Sequence, residues 1–195
     1  MKEVLQKVFV VIFGIFFLCS GCVTTSKYII ADSRIEFPNQ KFSVQKPPDD
    51  WILTHKTNEL ARWKQKVTRS SIAVDAGKIS PHNFSRSHWA KWVIEWTRDR
   101  MEKSSKKCDA TNFNEEAISF DSKEFYQVSG LIKCTNFDGE DEGYRINKKL
   151  YEKKFIYAVF ITQETLYFFT LGSTPQYYNQ GEKVLHDIFK SFSFL

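Results

Sequence analysis

Histidine is scarce in this 195-residue chain, and what there is lies scattered. His55, His82, His88 and His186 form no H-x-x-x-H or H-E-x-x-H pair, so the spacing that sets two imidazoles on one helix face for zinc is missing. They read as surface or helix-face residues. The G-x-S-x-G elbow, the phosphate-binding glycine loop, the dinucleotide fingerprint and the kinase signatures are absent too. No Cys–His or Ser–His–Asp constellation is suggested, although paired carboxylates meet only in a fold. These absences point away from an enzyme and give no cofactor to expect. Charge of one sign is also lacking: a net +5 is too weak to argue for a nucleic-acid partner. There is no internal repeat or low-complexity segment. The apolar run from Val8 to Leu18 is shorter than the roughly 20 residues a membrane-spanning helix needs.

That short run belongs to a different pattern. Lys2 and Lys7 precede it, and the small residues Ser20 and Gly21 follow it, leading into Cys22. Charged start, apolar centre and small-residue end are the parts of a secretory signal. Cys19-Ser20-Gly21-Cys22 resembles the lipobox of bacterial lipoproteins, with Cys19 standing where that family usually has Leu. The resemblance implies a diacylglyceryl group on the Cys22 thiol, cleavage before it, and a membrane partner held through the N-terminal lipid. The alternatives are an ordinary signal cut after Gly21 and an uncleaved anchor. Val23 follows Cys22 where an Asp would mark inner-membrane retention, which resembles an address at the periplasmic face of the outer membrane. The expected layout is a signal at 1–21, a tether at 22–33 and a single domain at 34–195.

The remainder is long enough to bury a core without metals or many disulfides. Two cysteines stay after Cys19 leaves with the signal and Cys22 is lipidated. In an oxidising compartment Cys108 and Cys134 read as a disulfide. Asp121-Ser122-Lys123 is a turn signal between strands at 114–120 and 124–132. Paired positions in a hairpin have a constant sum, set by this turn near 242 to 244, and Cys108 and Cys134 sum to 242. They should face each other near the open end of one hairpin, give or take a bulge. A redox-active pair is disfavoured, because the spacing is not C-x-x-C.

Strand patterns recur at Tyr28–Ala31, Lys41–Gln45, Trp51–Thr54, Ala61–Val67 and Ser71–Ala76. The period then changes. Trp89, Trp92, Val93, Trp96 and Met101 fall at helical spacing, predicting a helix from about 87 to 104 with Ser85 or Ser87 as its cap. Strands follow after the cysteine hairpin at 144–150, 155–162 and 166–171. Thr174-Pro175 opens a second helix with a stripe of Tyr178, Gly181, Leu185, Ile188 and Phe192, and Ser193–Leu195 ends as a short strand. The order predicts an α+β domain, an antiparallel sheet with two main helices packed on it.

Three segments carry a family resemblance. Phe42-Ser-Val-Gln-Lys-Pro-Pro-Asp-Asp-Trp51, Tyr167-Phe-Phe-Thr-Leu-Gly-Ser173 and Ile188-Phe-Lys-Ser-Phe-Ser-Phe194 are similar to the early strand and Pro turn, the late strand and the closing helix–strand of the PsbP/DcrB-like group. The resemblance implies an accessory or binding role, mostly without enzyme activity, and an envelope protein as partner. It carries over no functional residue.

Two candidate sites remain. Asp138, Glu140, Asp141 and Glu142 make an acidic loop whose carboxylates suit Ca²⁺, but the ordered spacing of a calcium loop is missing and a solvated turn explains it equally. Trp89, Trp92 and Trp96 line one helix. They read first as core, with a ligand groove or partner surface as the alternative. A filled core would leave all three inaccessible and suits a protein-binding accessory. A cavity lined by them would suit a lipid or small-molecule carrier.

Overall fold

The computed structural model describes residues 28–54, 59–78, 85–103, 108–137, 140–141, 144–145, 148–162 and 164–195. Its strands are β1 (Ile29–Ala31), β2 (Arg34–Phe37), β3 (Phe42–Gln45), β4 (Trp51–Thr54), β5 (Ala61–Gln65), β6 (Ser71–Lys78), β7 (Cys108–Phe120), β8 (Lys123–Phe137), β9 (Glu140–Asp141), β10 (Tyr144–Arg145), β11 (Lys148–Ile161), β12 (Thr165–Ser173) and β13 (Ser193–Phe194). Helix α1 spans Arg86–Glu102 and helix α2 spans Tyr178–Ser191. A seven-stranded sheet runs β4-β5-β6-β12-β11-β8-β7, a four-stranded sheet runs β1-β2-β3-β13, and β9 and β10 form a ribbon. Every pairing is antiparallel. This is the expected α+β class, with a second sheet added. Because β1 pairs with β2, the ordered sheet begins inside the segment expected as tether.

The β7–β8 hairpin follows from its turn. Asp121 and Ser122 both adopt left-handed backbone, with φ 46° and 64°, as a two-residue type I′ turn requires. Phe120 then faces Lys123, and the register holds down to Asn114 facing Ser129. Between Thr111 and Asn114 the register slips at a bulge, where Asn112 has φ 54°. Beyond the bulge Cys108 lies opposite Cys134, and the two form a disulfide. The hairpin is longer than its turn-proximal pattern predicts, because the bulge hides the continuation toward Cys108. Likewise β11 is one long strand from Lys148, where the pattern suggests separate runs. Strand β2 has no forecast in the sequence: Pro38 interrupts its pattern after Ile35 and Phe37, both buried.

Alternation in β12 explains the layers. Tyr167, Phe169 and Leu171 point to one face of the large sheet, and Leu166 and Phe168 to the other. A central strand covered on both faces has to be apolar on both. The first face meets the small sheet and α2. Phe37, Phe42 and Val44 from the small sheet, and Leu185, Ile188, Phe189 and Phe192 from the C-terminal segment, close over Trp63, Ile72, Val74, Ile156 and Phe169. Burying each such side chain contributes roughly 1.5–3 kcal/mol. Helix α2 approaches β12 closely at Gly181, where an added Cβ would lie 2.9 Å from Leu171 Cδ1. The second face meets α1, whose Trp89, Ala90 and Val93 pack on Val128 and Val159.

Arg34 fastens the small sheet to the chain's end. Its guanidinium donates to Ser43 Oγ at 2.7 Å, Ser193 Oγ at 2.7 Å and the Ser191 carbonyl at 2.8 Å.

Candidate functional site

Helix α1 places its aromatic residues in three different environments. Trp89 is buried with Ala90, Val93 and Thr97. Trp96 is half-buried, and Trp92 is 55% exposed. The expectation that all three lie inaccessible in the core is therefore corrected at Trp92. At about 100° per residue, the buried stripe centres near Val93, and Trp92 points roughly 110° away from that centre. Helical spacing identifies the aromatic side of α1 but not which arc of it meets the sheet.

The exposed indole does not stand alone. Trp92 stacks on Trp96 at 6.0 Å with planes 18° apart. Trp96 meets Tyr157 of β11 edge-on at 5.7 Å, and Tyr157 stacks on Phe168 of β12 at 6.0 Å. The Arg100 guanidinium lies 5.2 Å from the Trp96 ring centroid. An aromatic ladder thus runs from solvent down onto the sheet, with a cation beside its second rung, Trp96. Burial raises the Tyr157 phenol pKa, and the nearby Arg100 and Arg62 charges partly offset that. The phenol is a neutral hydrogen-bonding group at neutral pH. The ladder offers flat apolar area and guanidinium, the chemistry enriched at protein–protein contacts.

The other expected sites fare differently. Cys22, Asp138 and Glu142 lie outside the described residues. Glu140 and Asp141 form β9 opposite Tyr144 and Arg145. Among the described residues no group of three or more His, Cys, Asp or Glu side chains is arranged to hold a metal ion. Also among the described residues, no helix is long and apolar enough to cross a membrane.

A second constellation has no local signature in the sequence. Tyr178, Glu182 and His186 recur every fourth residue along α2, one stripe of the helix. They face the β7–β8 hairpin, where Glu116 is the direct cross-strand partner of Gln127. Gln127 Nε2 donates to Glu116 Oε1, and the Tyr178 hydroxyl donates to Glu182 Oε1 at 3.1 Å. The i, i+4, i+8 spacing was visible, but nothing local announces that it meets an acidic residue on an edge strand.

The chain matches no protein-family model and no curated protein sequence. Among solved structures it is similar to the cyanobacterial PsbP (CyanoP) of Synechocystis sp. PCC 6803, with TM-score 0.60 and 12% identity over 83% of this chain and 91% of that one. It is also similar to the Ran-binding protein Mog1p of Saccharomyces cerevisiae, with TM-score 0.48 and 12% identity over 85% of this chain and 96% of that one. LpqN, involved in cell envelope biogenesis of Mycobacterium tuberculosis, follows with TM-score 0.43 and 11% identity over 78% and 82%. At these identities the likeness concerns the fold. The class defined is the PsbP-like α+β fold, as the sequence resemblance implies.

Proposed function

We propose that this chain is a non-catalytic accessory lipoprotein of the bacterial cell envelope, tethered through a lipid on Cys22, which holds a protein partner on the aromatic ladder of α1. The observation that carries the reading is Trp92, an indole 55% exposed yet stacked in a fixed position on Trp96. A large aromatic group that the described residues leave exposed, yet hold in place by stacking, is the kind of group that anchors protein contacts. The signal-like N-terminus and Ser20-Gly21-Cys22 support the anchoring. A chain running from Cys22 to Tyr28 reaches at most about 20 Å, so the tether would keep the domain close to the membrane. Several acyl chains, at about 0.8 kcal/mol per buried methylene, would make that attachment durable.

The test is in-cell cross-linking of the tagged full chain with mass spectrometry of the captured proteins. One abundant envelope protein, captured by the parent chain and lost in both Cys22→Ser and Trp92→Ala, supports the reading. Capture that is unchanged by either substitution overturns the roles given to the tether and the ladder.

A further inference from the structure

The aromatic ladder stands at the edge of a step. Helix α1 lies over β7 and β8, at one side of the second face of the large sheet, and its side chains reach Val159 of β11. Helix α2 packs on the other face, so among the described residues no second helix covers β12, β6 and β5 here. On these strands Gly77 is exposed, with open space where a Cβ would stand. Ile52 of β4, opposite Lys64, is exposed too. Arg98 of α1 meets Phe113 of β7, whereas Trp96 meets Tyr157 of β11. Trp92, Trp96 and Arg100 therefore line the side of the helix that overlooks the bare strands. A helix is about 10 Å across, which sets the height of the step.

The floor of the step is low and its far rim is cationic. One register row runs Arg62, Ala73, Thr170, Tyr157 across β5, β6, β12 and β11, and the next runs Lys64, Ser71, Gly172, Phe155. Short side chains in the middle of both rows leave the long cations of β5 standing at the rim. At Gly172 a Cβ would lie 2.8 Å from Lys153 Nζ, so the glycine lets the Lys153 side chain lie across β12 toward Ser71. Against the cations Arg62, Lys64, Lys153 and Arg100 stand two carboxylates: Glu59, which pairs with Arg62, and Asp75, in the row that holds Phe168. Beside the ladder, Glu95 and Asp99 each already meet a lysine, Lys91 and Lys103. Arg100 is exposed, and among the described residues it has no ion-pair partner. A guanidinium held against an indole still offers its N–H edges, in the fork that a carboxylate matches. Burial raises the Tyr157 phenol pKa, and Arg100 from α1 and Arg62 from β5 both oppose that rise, so the two charges act on one spot of the floor.

We infer that the partner enters this step with an acidic segment, setting an apolar side chain against Trp92 and Asp or Glu carboxylates toward Arg100 and the Arg62–Lys64 rim. The inference rests on the reading of the ladder as a protein contact. A basic segment would meet like charge, which costs affinity. A bilayer also carries anionic groups, but a flat surface resting on α1 does not reach strands a helix diameter below it. A chain segment lies in the corner and touches both.

The experiment is cross-linking of cells carrying the tagged full chain with two reagents, formaldehyde and a water-soluble carbodiimide, which joins a carboxylate to an amine as an amide. The expected result is amides from Lys64 or Lys153 to Asp or Glu of the same protein that formaldehyde captures through Trp92. Their yield should fall at least about fivefold in Arg100→Glu. If that variant fails to fold, Arg100→Gln, which keeps the stem beside Trp96, decides in its place. Formaldehyde capture that depends on Trp92, with no such amides or with an unchanged amide yield in the variant, overturns the acidic segment and leaves the ladder reading standing. Absence of any Trp92-dependent capture overturns the ladder reading and this inference with it. In that case sedimentation of the Cys22→Ser chain with phosphatidylglycerol vesicles, lost in Arg100→Glu, would assign the step to lipid instead.

Discussion

Phe125 of β8 and Phe189 of α2 stack with ring centroids 4.3 Å apart and planes 11° from parallel, and both are fully buried. This contact ties the large sheet to its covering helix. Truncating either ring to Ala should cost about 3–5 kcal/mol. A double-mutant cycle by urea denaturation should return a coupling of roughly 0.5–1.5 kcal/mol. Strict additivity would mean the rings stabilise independently.

The Cys108–Cys134 bond spans 26 residues of chain. On the chain-entropy model, closing a loop of this length contributes roughly 3–4 kcal/mol. The Cys108→Ser/Cys134→Ser variant should therefore melt on the order of 10 °C lower, measured by circular dichroism. A shift of under about 2 °C would show that the hairpin register is held by its turn and bulge without the cross-link.

Trp92 and Trp89 sit three residues apart on α1 but should behave oppositely. Trp92→Ala should change stability by no more than about 0.5 kcal/mol, because its indole is exposed. Trp89→Ala removes a buried ring over Val128 and Val159 and should cost about 3–5 kcal/mol. Chemical denaturation of the two variants checks the difference. Equal losses would place Trp92 in the core.

His186 should make stability depend on pH. Burial lowers its folded pKa below the unfolded value of 6.5, against the charges of Glu182, Glu116 and Asp187 and together with that of Lys190. The unfolded chain then takes up the proton more readily than the folded one. The contribution is full above pH 6.5 and is lost as pH falls from there through the folded pKa. Melting temperatures recorded between pH 7.5 and 5 should drop on the acid side, and His186→Gln should flatten that drop. An identical slope in the variant would assign it to other groups.

The legible part of this protein was local. The Asp121-Ser122 turn sets a register that reaches Cys134 with one bulge of error, so the disulfide could be read from numbering alone. The stripe of α2 was equally plain, because period and burial coincide there, whereas β12 is apolar on both faces and its two layers leave no alternation to read. What was illegible depends on distant chain. The small sheet is completed because β3 pairs with Ser193–Phe194, roughly 150 positions away, and no short window records that pairing. The exposure of Trp92 depends on which strands α1 happens to cover. Glu116 carries no signal of its contact with Gln127, because it lies in a strand whose outward pattern is simply polar.

The small sheet has a consequence for the order of events during synthesis. Its first three strands lie between Ile29 and Gln45, and its fourth is Ser193–Phe194, roughly 150 positions later. Until those residues leave the ribosome, the outer edge of β3 carries unpaired peptide groups, and Phe42 lacks Phe192 as its lid. Closure of the small sheet thus waits until Phe194 has been made and has cleared the ribosome, whatever the earlier segments have already built. A nascent chain halted just short of Ser193 would expose a sticky strand edge, and in that interval a chaperone that covers extended segments has its natural client.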